Sequence, residues 1–385
     1  MNRNRFLNYF INTAFTCSSY FVYFFYPVFL MEQGLSGNQI GLLLMLFTIT
    51  ALMSSFLIGL FEDRFGARGN TVCGLLLMCV FYYGLITCRS FILFVPLFFV
   101  GGLGINLVRV TMNALFFKTH DSGRQGREIG LFKFLHQFFM GCGIIAGSLL
   151  IMKLDFHSVF VVSTVFSLIL GGFALALRPS LLTVTPLSHY MRDLAHKRVL
   201  LFSAALLLFY LHWGAEAACY SPFLKQCLGL STLGAGIFMG LPIIFLAFCT
   251  YYFGWRRDRG ESTIRLAIIA IICSGAGLML FAATHVVILS FLFRLIHEVG
   301  DAAFVIFTYV CIARLFPRER LGGTSGSMYV VMIGAQSCGA WIFSWMGASL
   351  GYSVPYFAAA LCSLSAIPLI LYTRSQYNFS PPDHD

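Results

Sequence analysis

Runs of about twenty consecutive apolar residues recur from one end of the chain to the other, each able to cross a hydrocarbon core about 30 Å thick. In hydrocarbon every backbone N–H and C=O must be satisfied within the spanning structure, which only helices and closed barrels achieve. Barrel strands alternate lipid-facing and lumen-facing residues over segments of about ten, and no such alternation is legible. The reading is an all-α polytopic membrane protein. Its twelve spans lie near 7–30, 38–60, 71–88, 91–117, 128–152, 156–177, 199–224, 232–254, 264–283, 286–313, 322–348 and 352–373. Composition agrees: 59% of the 385 residues are hydrophobic and 10% charged, against about 25% charged in soluble domains.

The basic residues set the orientation. With both termini cytoplasmic, only Arg89, Lys153 and Lys225 fall on the far side, and only Arg109, Lys133 and Arg294 fall within spans. The rest of the 25 Lys and Arg are then cytoplasmic, as the positive-inside rule requires. That distribution accounts for the net charge of +10, so no nucleic-acid partner is needed. The first span follows Arg3 and Arg5 and has no small-residue cleavage site behind it, which reads as a retained helix of a multi-pass inner (plasma) membrane protein. The twelve Cys form no CxxC pair and are scattered through the spans, where Cys behaves as a small apolar residue. No disulfide, cofactor or metal site is expected. No nucleophile–base set is visible and the loops are short, so the chain does not read as an enzyme.

The sequence repeats itself at an offset of 195. Pro27 meets Pro222, Gly34-Leu35-Ser36 meets Gly229-Leu230-Ser231, Gly41 meets Gly236, and Gly59, Asp63 and Arg64 meet Gly254, Asp258 and Arg259. Two six-span halves follow, 1–177 and 199–385, joined by a polar connector, 178–198, that contains Pro179, Pro186, Arg192, Lys197 and Arg198. The second half ends in a short tail. Parallel six-span repeats are a transporter architecture with the solute held near the midplane.

"GLFEDRFGAR", Gly59 to Arg68, resembles the G-x-x-x-D-R-x-G-R-K signature between helices two and three of the major facilitator superfamily. Gly59, Asp63, Arg64, Gly66 and Arg68 fit, and Ala67 departs at the first of the two basic positions. "GWRRDRG", Gly254 to Gly260, resembles its weaker second copy. The resemblance implies alternating access, with helices one, four, seven and ten lining a central cavity. Charged side chains at such a helix junction pair with neighbours and helix-end dipoles, holding one conformation shut. The two copies are therefore expected to gate.

The tenth span holds "RLIHEVGD". Isolated charges at the bilayer centre cost about 2.5–3.5 kcal/mol each. Arg294, His297, Glu298 and Asp301 are spaced i, i+3, i+4, i+7, so they share one helical stripe that must face partners or water. Span seven offers His212, Glu216 and Tyr220 on one face. Span four offers Asn106, Arg109 and Asn113, and span five Lys133, His136 and Gln137. Three cations and three anions stand within the spans, as a mutually paired set would. Burial raises a carboxylate's pKa and a neighbouring Arg lowers it, so moving Arg294 relative to Glu298 or Asp301 would take up or release a proton.

The stripe is similar to helix ten of lactose-permease-type proton symporters, with Arg294 and His297 in register. Gly300 occupies the acid position, and Glu298 and Asp301 flank it. "GCGIIAGSLL" in span five resembles the glycine-rich segment of facilitator antiporters, but Ser148 stands where that segment has Pro. Tyr20, Tyr23, Phe24 and Tyr26 in span one read first as packing or interfacial residues, with an aromatic wall for an amphiphilic or ring-bearing solute as the alternative.

The function expected is proton-coupled symport of a small polar, anionic solute by a monomer in the bilayer. Glu298, Asp301, His297, Glu216 and Arg294 would handle the proton. Arg109, Lys133, Asn106, Asn113, His136, Gln137 and His212 would meet the solute. Two alternatives remain: a proton-driven exporter of amphiphiles or drugs, and a facilitator fold that serves as an assembly factor or sensor.

Overall fold

The computed structural model describes residues 3–120, 124–178, 182 and 185–372. Pro179 and the tail beyond Tyr372 lie outside the described residues. Twelve helical stretches among them are long and apolar enough to cross a membrane, at the places expected and with edges shifted by a few residues. The first combines α1 (Arg3–Ser19) and α2 (Tyr26–Glu32). The next five are α3 (Gly37–Phe65), α4 (Ala67–Thr87), α5 (Phe91–Thr119), α6 (Gln125–Lys153) and α7 (Phe156–Ala174). After the short connector helix α8 (Leu187–Leu194) come α9 (Lys197–Gln226), α10 (Thr232–Asp258), α11 (Thr263–Ala283) and α12 (Val287–Leu315). The last two are α13 (Leu321–Leu350), preceded by a 3-10 turn, and α14 (Val354–Leu364) with α15 (Ala366–Tyr372).

The first span is not one continuous helix. Pro27 sits in the first turn of α2, where its missing N–H is tolerated but could not continue a ladder from the preceding turn. The hydroxyls of Ser18 and Ser19 donate back to the carbonyl of Phe15 at 3.2 and 2.8 Å and cover the end of α1. The repeated Gly-Leu-Ser triplets have a local cause. Gly34 and Gly229 adopt φ of 80° and 66°, a left-handed conformation that glycine enters without steric cost. Ser36 and Ser231 then cap α3 and α10, accepting from the N–H of Gln39 at 3.4 Å and Gly234 at 3.1 Å.

By contact the chain divides into two units, 1–120 with 139–190 and 317–330, and 121–138 with 191–316 and 331–385. The first has an aromatic core in which Tyr26 meets Phe81 and Phe98 edge-on, and Phe29 meets Phe160; edge-to-face geometry is the favoured one for such rings. The second packs Phe223, Phe281 and Tyr356 together between α9, α11 and α14. Phe209 and Phe304 stack between α9 and α12.

Candidate functional site

The polar stripes of α9 and α12 meet within the second unit. Helical spacing puts His212, Glu216 and Tyr220 on one face of α9, and α12 presents Arg294, His297, Glu298 and Asp301 to it. Arg294 donates to both Glu216 oxygens, Nη1 to Oε1 at 2.5 Å and Nη2 to Oε2 at 3.0 Å. It also reaches Glu298 one turn along its own helix, at 2.7 Å, and its guanidinium lies 4.7 Å from the centre of the Tyr220 ring. Planar, forked donors suit this two-carboxylate bridge as an ammonium would not. His297 Nε2 is 2.7 Å from Glu216 Oε1 and 3.6 Å from Asp301 Oδ2. Asp301 accepts from Trp213 Nε1 at 2.6 Å and from the Ser274 hydroxyl at 2.8 Å, and His212 Nε2 lies 3.3 Å from it. Arg294, His297, Glu298 and Asp301 are each at most 4% exposed. Breaking such a network by removing one partner leaves an uncompensated buried charge and costs about 3–5 kcal/mol. A carboxylate here changes state only by exchanging partners or a proton.

His212, read from the sequence as a solute contact, thus stands against Asp301. Trp213, Ser274 and Ser363 were not singled out by spacing. Trp213 follows the buried His212 directly. The two serines sit alone among apolar residues of α11 and α14.

In the first unit Arg109 of α5 faces the break in the first span. Its guanidinium carbon lies 5.5 Å from the ring centre of Tyr20 and 5.8 Å from that of Tyr23, and Tyr329 is within electrostatic range of it. One guanidinium nitrogen, Nη2, is buried without a hydrogen-bond partner. Among the described residues no carboxylate stands within ion-pair distance of it. Tyr20 and Tyr23 therefore serve a cation, whereas Tyr26 packs in the core. Asn106, one turn before Arg109, spends its amide on α3, donating to Ala51 O, Ser54 Oγ and Ser55 Oγ at 2.8–3.1 Å. Asn113 donates to the carbonyl of Arg109 at 2.9 Å.

Lys133, His136 and Gln137 belong to the second unit. Lys133 Nζ lies 3.9 Å from the centre of the Tyr309 ring, a cation–π contact. His136 is half-buried, and Gln137 is buried with its Oε1 unpartnered.

Both loop signatures hold a helix start. Asp63, fully buried, accepts from the N–H of Gly322 at 3.0 Å and Gly323 at 2.8 Å at the first turn of α13. The first N–H groups of a helix have no internal partner and carry its positive end, so a carboxylate there satisfies both. Asp258 does the same for α6, accepting from Gly126 at 2.7 Å and Arg127 at 2.8 Å. Glycine is needed at the approach: a side chain on Gly59 would strike the backbone of Gly322.

The Asp63 clamp has more members than the signature suggested. Lys118 reaches Glu62 at 2.6 Å and Asp63 at 2.8 Å. Tyr190 of α8, fully buried, donates to Asp63 Oδ2 at 3.1 Å. Burial and the adjacent carboxylate push the Tyr190 phenol well above its ordinary range, so it remains a donor. Arg64 and Arg68 are exposed. Gly66, at φ 80°, makes the turn from α3 to α4. Arg259 stacks on Trp255, 3.8 Å from its ring centre.

His212, Glu216 and His297 present ligand atoms within 4.8 Å of one another, the arrangement closest to a metal site among the described residues. The 2.7 Å between His297 Nε2 and Glu216 Oε1 is shorter than the edge of about 3.4 Å that bonds of ~2.1 Å give a tetrahedral zinc site. Arg294 already holds the same carboxylate. That spacing is an ion-pair contact between imidazole and carboxylate.

Comparison with known proteins places this geometry in context. The sequence profile of the Major Facilitator Superfamily matches residues 9–293. Multidrug resistance protein MdtH from Aeromonas hydrophila is 27% identical over 266 residues, 66% of each chain, so the match spans just under two thirds of that relative. Among solved structures, the human organic anion transporter MFSD10 superposes with a TM-score of 0.80 at 14% identity, covering 96% of this chain and 99% of that one. The proton:xylose symporter XylE gives 0.76 at 15%, covering 97% and 95%. A bacterial homologue of the iron transporter ferroportin gives 0.76 at 13%, covering 98% and 99%.

Proposed function

The chain belongs to the Major Facilitator Superfamily, a family of transporters rather than enzymes, and on that premise we propose that this multi-pass secondary transporter couples a small organic anion to protons. The observation that carries the reading is the buried network of α9 and α12. It sets three carboxylates, Glu216, Glu298 and Asp301, against one permanent cation, Arg294. The imbalance calls for labile protons, and partner exchange by Arg294 is the step that would release and recapture them. Arg109 supports the anion: a partly buried guanidinium without a carboxylate partner has one positive charge to offer, between rings that can lie against a flat solute. Lys133, His136 and Gln137 are secondary candidates for contact with the solute.

The cycle is rocking of the halves 1–177 and 199–385 about a midplane site, with the connector 178–198 between them. In the orientation set by the basic residues, the Asp63 and Asp258 clamps lie on the cytoplasmic side of the inner membrane. Each ties a helix start in one half to the other half, so both must open for cytoplasmic access. A monomer contains all of these parts.

The first reading of direction is symport. The match to a multidrug resistance protein favours a second, proton-driven export, in which the same network exchanges protons for solute in the opposite sense. Membrane vesicles energised by a pH gradient separate the two. Screening a panel of radiolabelled organic anions should reveal a solute that accumulates with the proton gradient in symport and against it in export. In either case protonophore should abolish accumulation, and Glu216→Gln and Arg109→Gln should reduce it at least tenfold. Accumulation indifferent to protonophore would end the proton claim; an unaffected Arg109→Gln would end the assignment of the anion to that side chain.

A further inference from the structure

Both imidazoles of the network are held in the same way. His297 Nδ1 is 2.9 Å from the backbone carbonyl of Ser274, and His212 Nδ1 is 2.5 Å from that of Phe209. A carbonyl oxygen only accepts, so each Nδ1 carries a hydrogen. On the other side of each ring Nε2 lies at ion-pair distance from a carboxylate, Glu216 at 2.7 Å for His297 and Asp301 at 3.3 Å for His212, in neither case aligned as a hydrogen bond. A bare lone pair against an ionised carboxylate oxygen at these distances is repulsive. Each pair must therefore hold one proton, on the ring or on its acid. Asp301 already accepts from two neutral donors, Trp213 and Ser274, which leaves its proton to His212.

Charge counting gives the same number. Arg294 against Glu216, Glu298 and Asp301 leaves two negative charges uncompensated in a site where His212 and His297 are fully buried. Two protons make it neutral. Other polar groups at the site are Ser363 of α14, hydrogen-bonded to His212, and the phenols of Tyr220 and of Tyr356 of α14, and these add no charge. Cys249 of α10 lies within electrostatic range of Glu298.

We propose that the network is a two-proton site, with His297–Glu216 and His212–Asp301 each carrying one proton, so that a transport cycle moves two protons rather than one. This deepens the proton-coupled reading and rests on it. It also gives His212 a role as a proton carrier in place of a solute contact.

The test uses the full-length protein in nanodiscs, without solute. Labelling histidine with 15N and assigning the rings by His212→Gln and His297→Gln should show both imidazoles protonated on both nitrogens at neutral pH. On an alkaline pH jump, proton release from the wild type should exceed that from each single variant by one proton and that from the double variant by two. Size-exclusion profiles check that the variants fold, and the wild-type spectrum stands whether they do or not. A neutral ring at either position, with no protonated carboxyl in the infrared spectrum to replace it, would overturn the proposal. So would a stoichiometric bound metal ion at these rings in place of the protons. Two protons held by a protein whose flux ignores a pH gradient would sink the coupled function and leave the site; one proton in a gradient-driven transporter would do the reverse.

Discussion

Arg294 illustrates how much depends on one side chain here. Its guanidinium bridges Glu216 and Glu298 and lies beneath Tyr220, uses that draw on its planar fork of donors. Lysine keeps the charge but cannot hold two carboxylates in that geometry. Arg294→Lys should therefore fold yet lose at least tenfold in proton-driven flux, measured in vesicles against a folded control. Flux near wild type would mean that the charge alone suffices and that the bridge is incidental. The pairing of Arg294 with His297, Glu298 and Asp301 on one stripe was legible from spacing alone, because 3.6-residue periodicity fixes which side chains share a face. What spacing did not reveal were neutral partners. Trp213, Ser274 and Ser363 carry no charge to mark them in an apolar sequence, and only packing brings them to the histidines.

At the level of helices and loops, the two signatures do similar work with unequal support. Asp63 is fully buried and holds Lys118, the Tyr190 hydroxyl and two backbone N–H groups, whereas Asp258 is half-exposed and its hydrogen bonds are to two N–H groups. Asp63→Asn should cost more than Asp258→Asn, because it weakens four contacts of a fully buried carboxylate, to Lys118, Tyr190 and two backbone N–H groups, rather than two. Asp258→Asn should cost about 1.5–3 kcal/mol, the range for hydrogen bonds to a charged group. Thermal unfolding of the purified variants in one detergent checks the order, and equal or reversed shifts would contradict it. The sequence marked both aspartates but missed Glu62 and Lys118. The spans were drawn to stop at 60 and 117, while α3 and α5 run on to Phe65 and Thr119 and carry those charges into the clamp. Tyr190 was hidden for a different reason: its helix carries an apolar stripe of Leu187, Tyr190, Met191 and Leu194 at i, i+3, i+4 and i+7, but it lies in a segment read only as a polar connector.

For the molecule as a whole, twelve spans and the superfamily were readable because hydrocarbon leaves the backbone so few alternatives. The break between α1 and α2 was not anticipated, although Pro27 was in view, since an apolar run looks continuous across it. The account stands on one claim: a proton held between α9 and α12 leaves and returns with each solute that crosses. Proteoliposomes containing the purified protein and a trapped pH dye, pulsed with a radiolabelled anion that the protein carries, measure both fluxes together. The account predicts an internal pH change in step with label movement, acidification for symport and alkalinisation when an exporter takes solute inward, lost together in Glu216→Gln. Label crossing with no change of internal pH, or an unaltered pH response in Glu216→Gln, would contradict it.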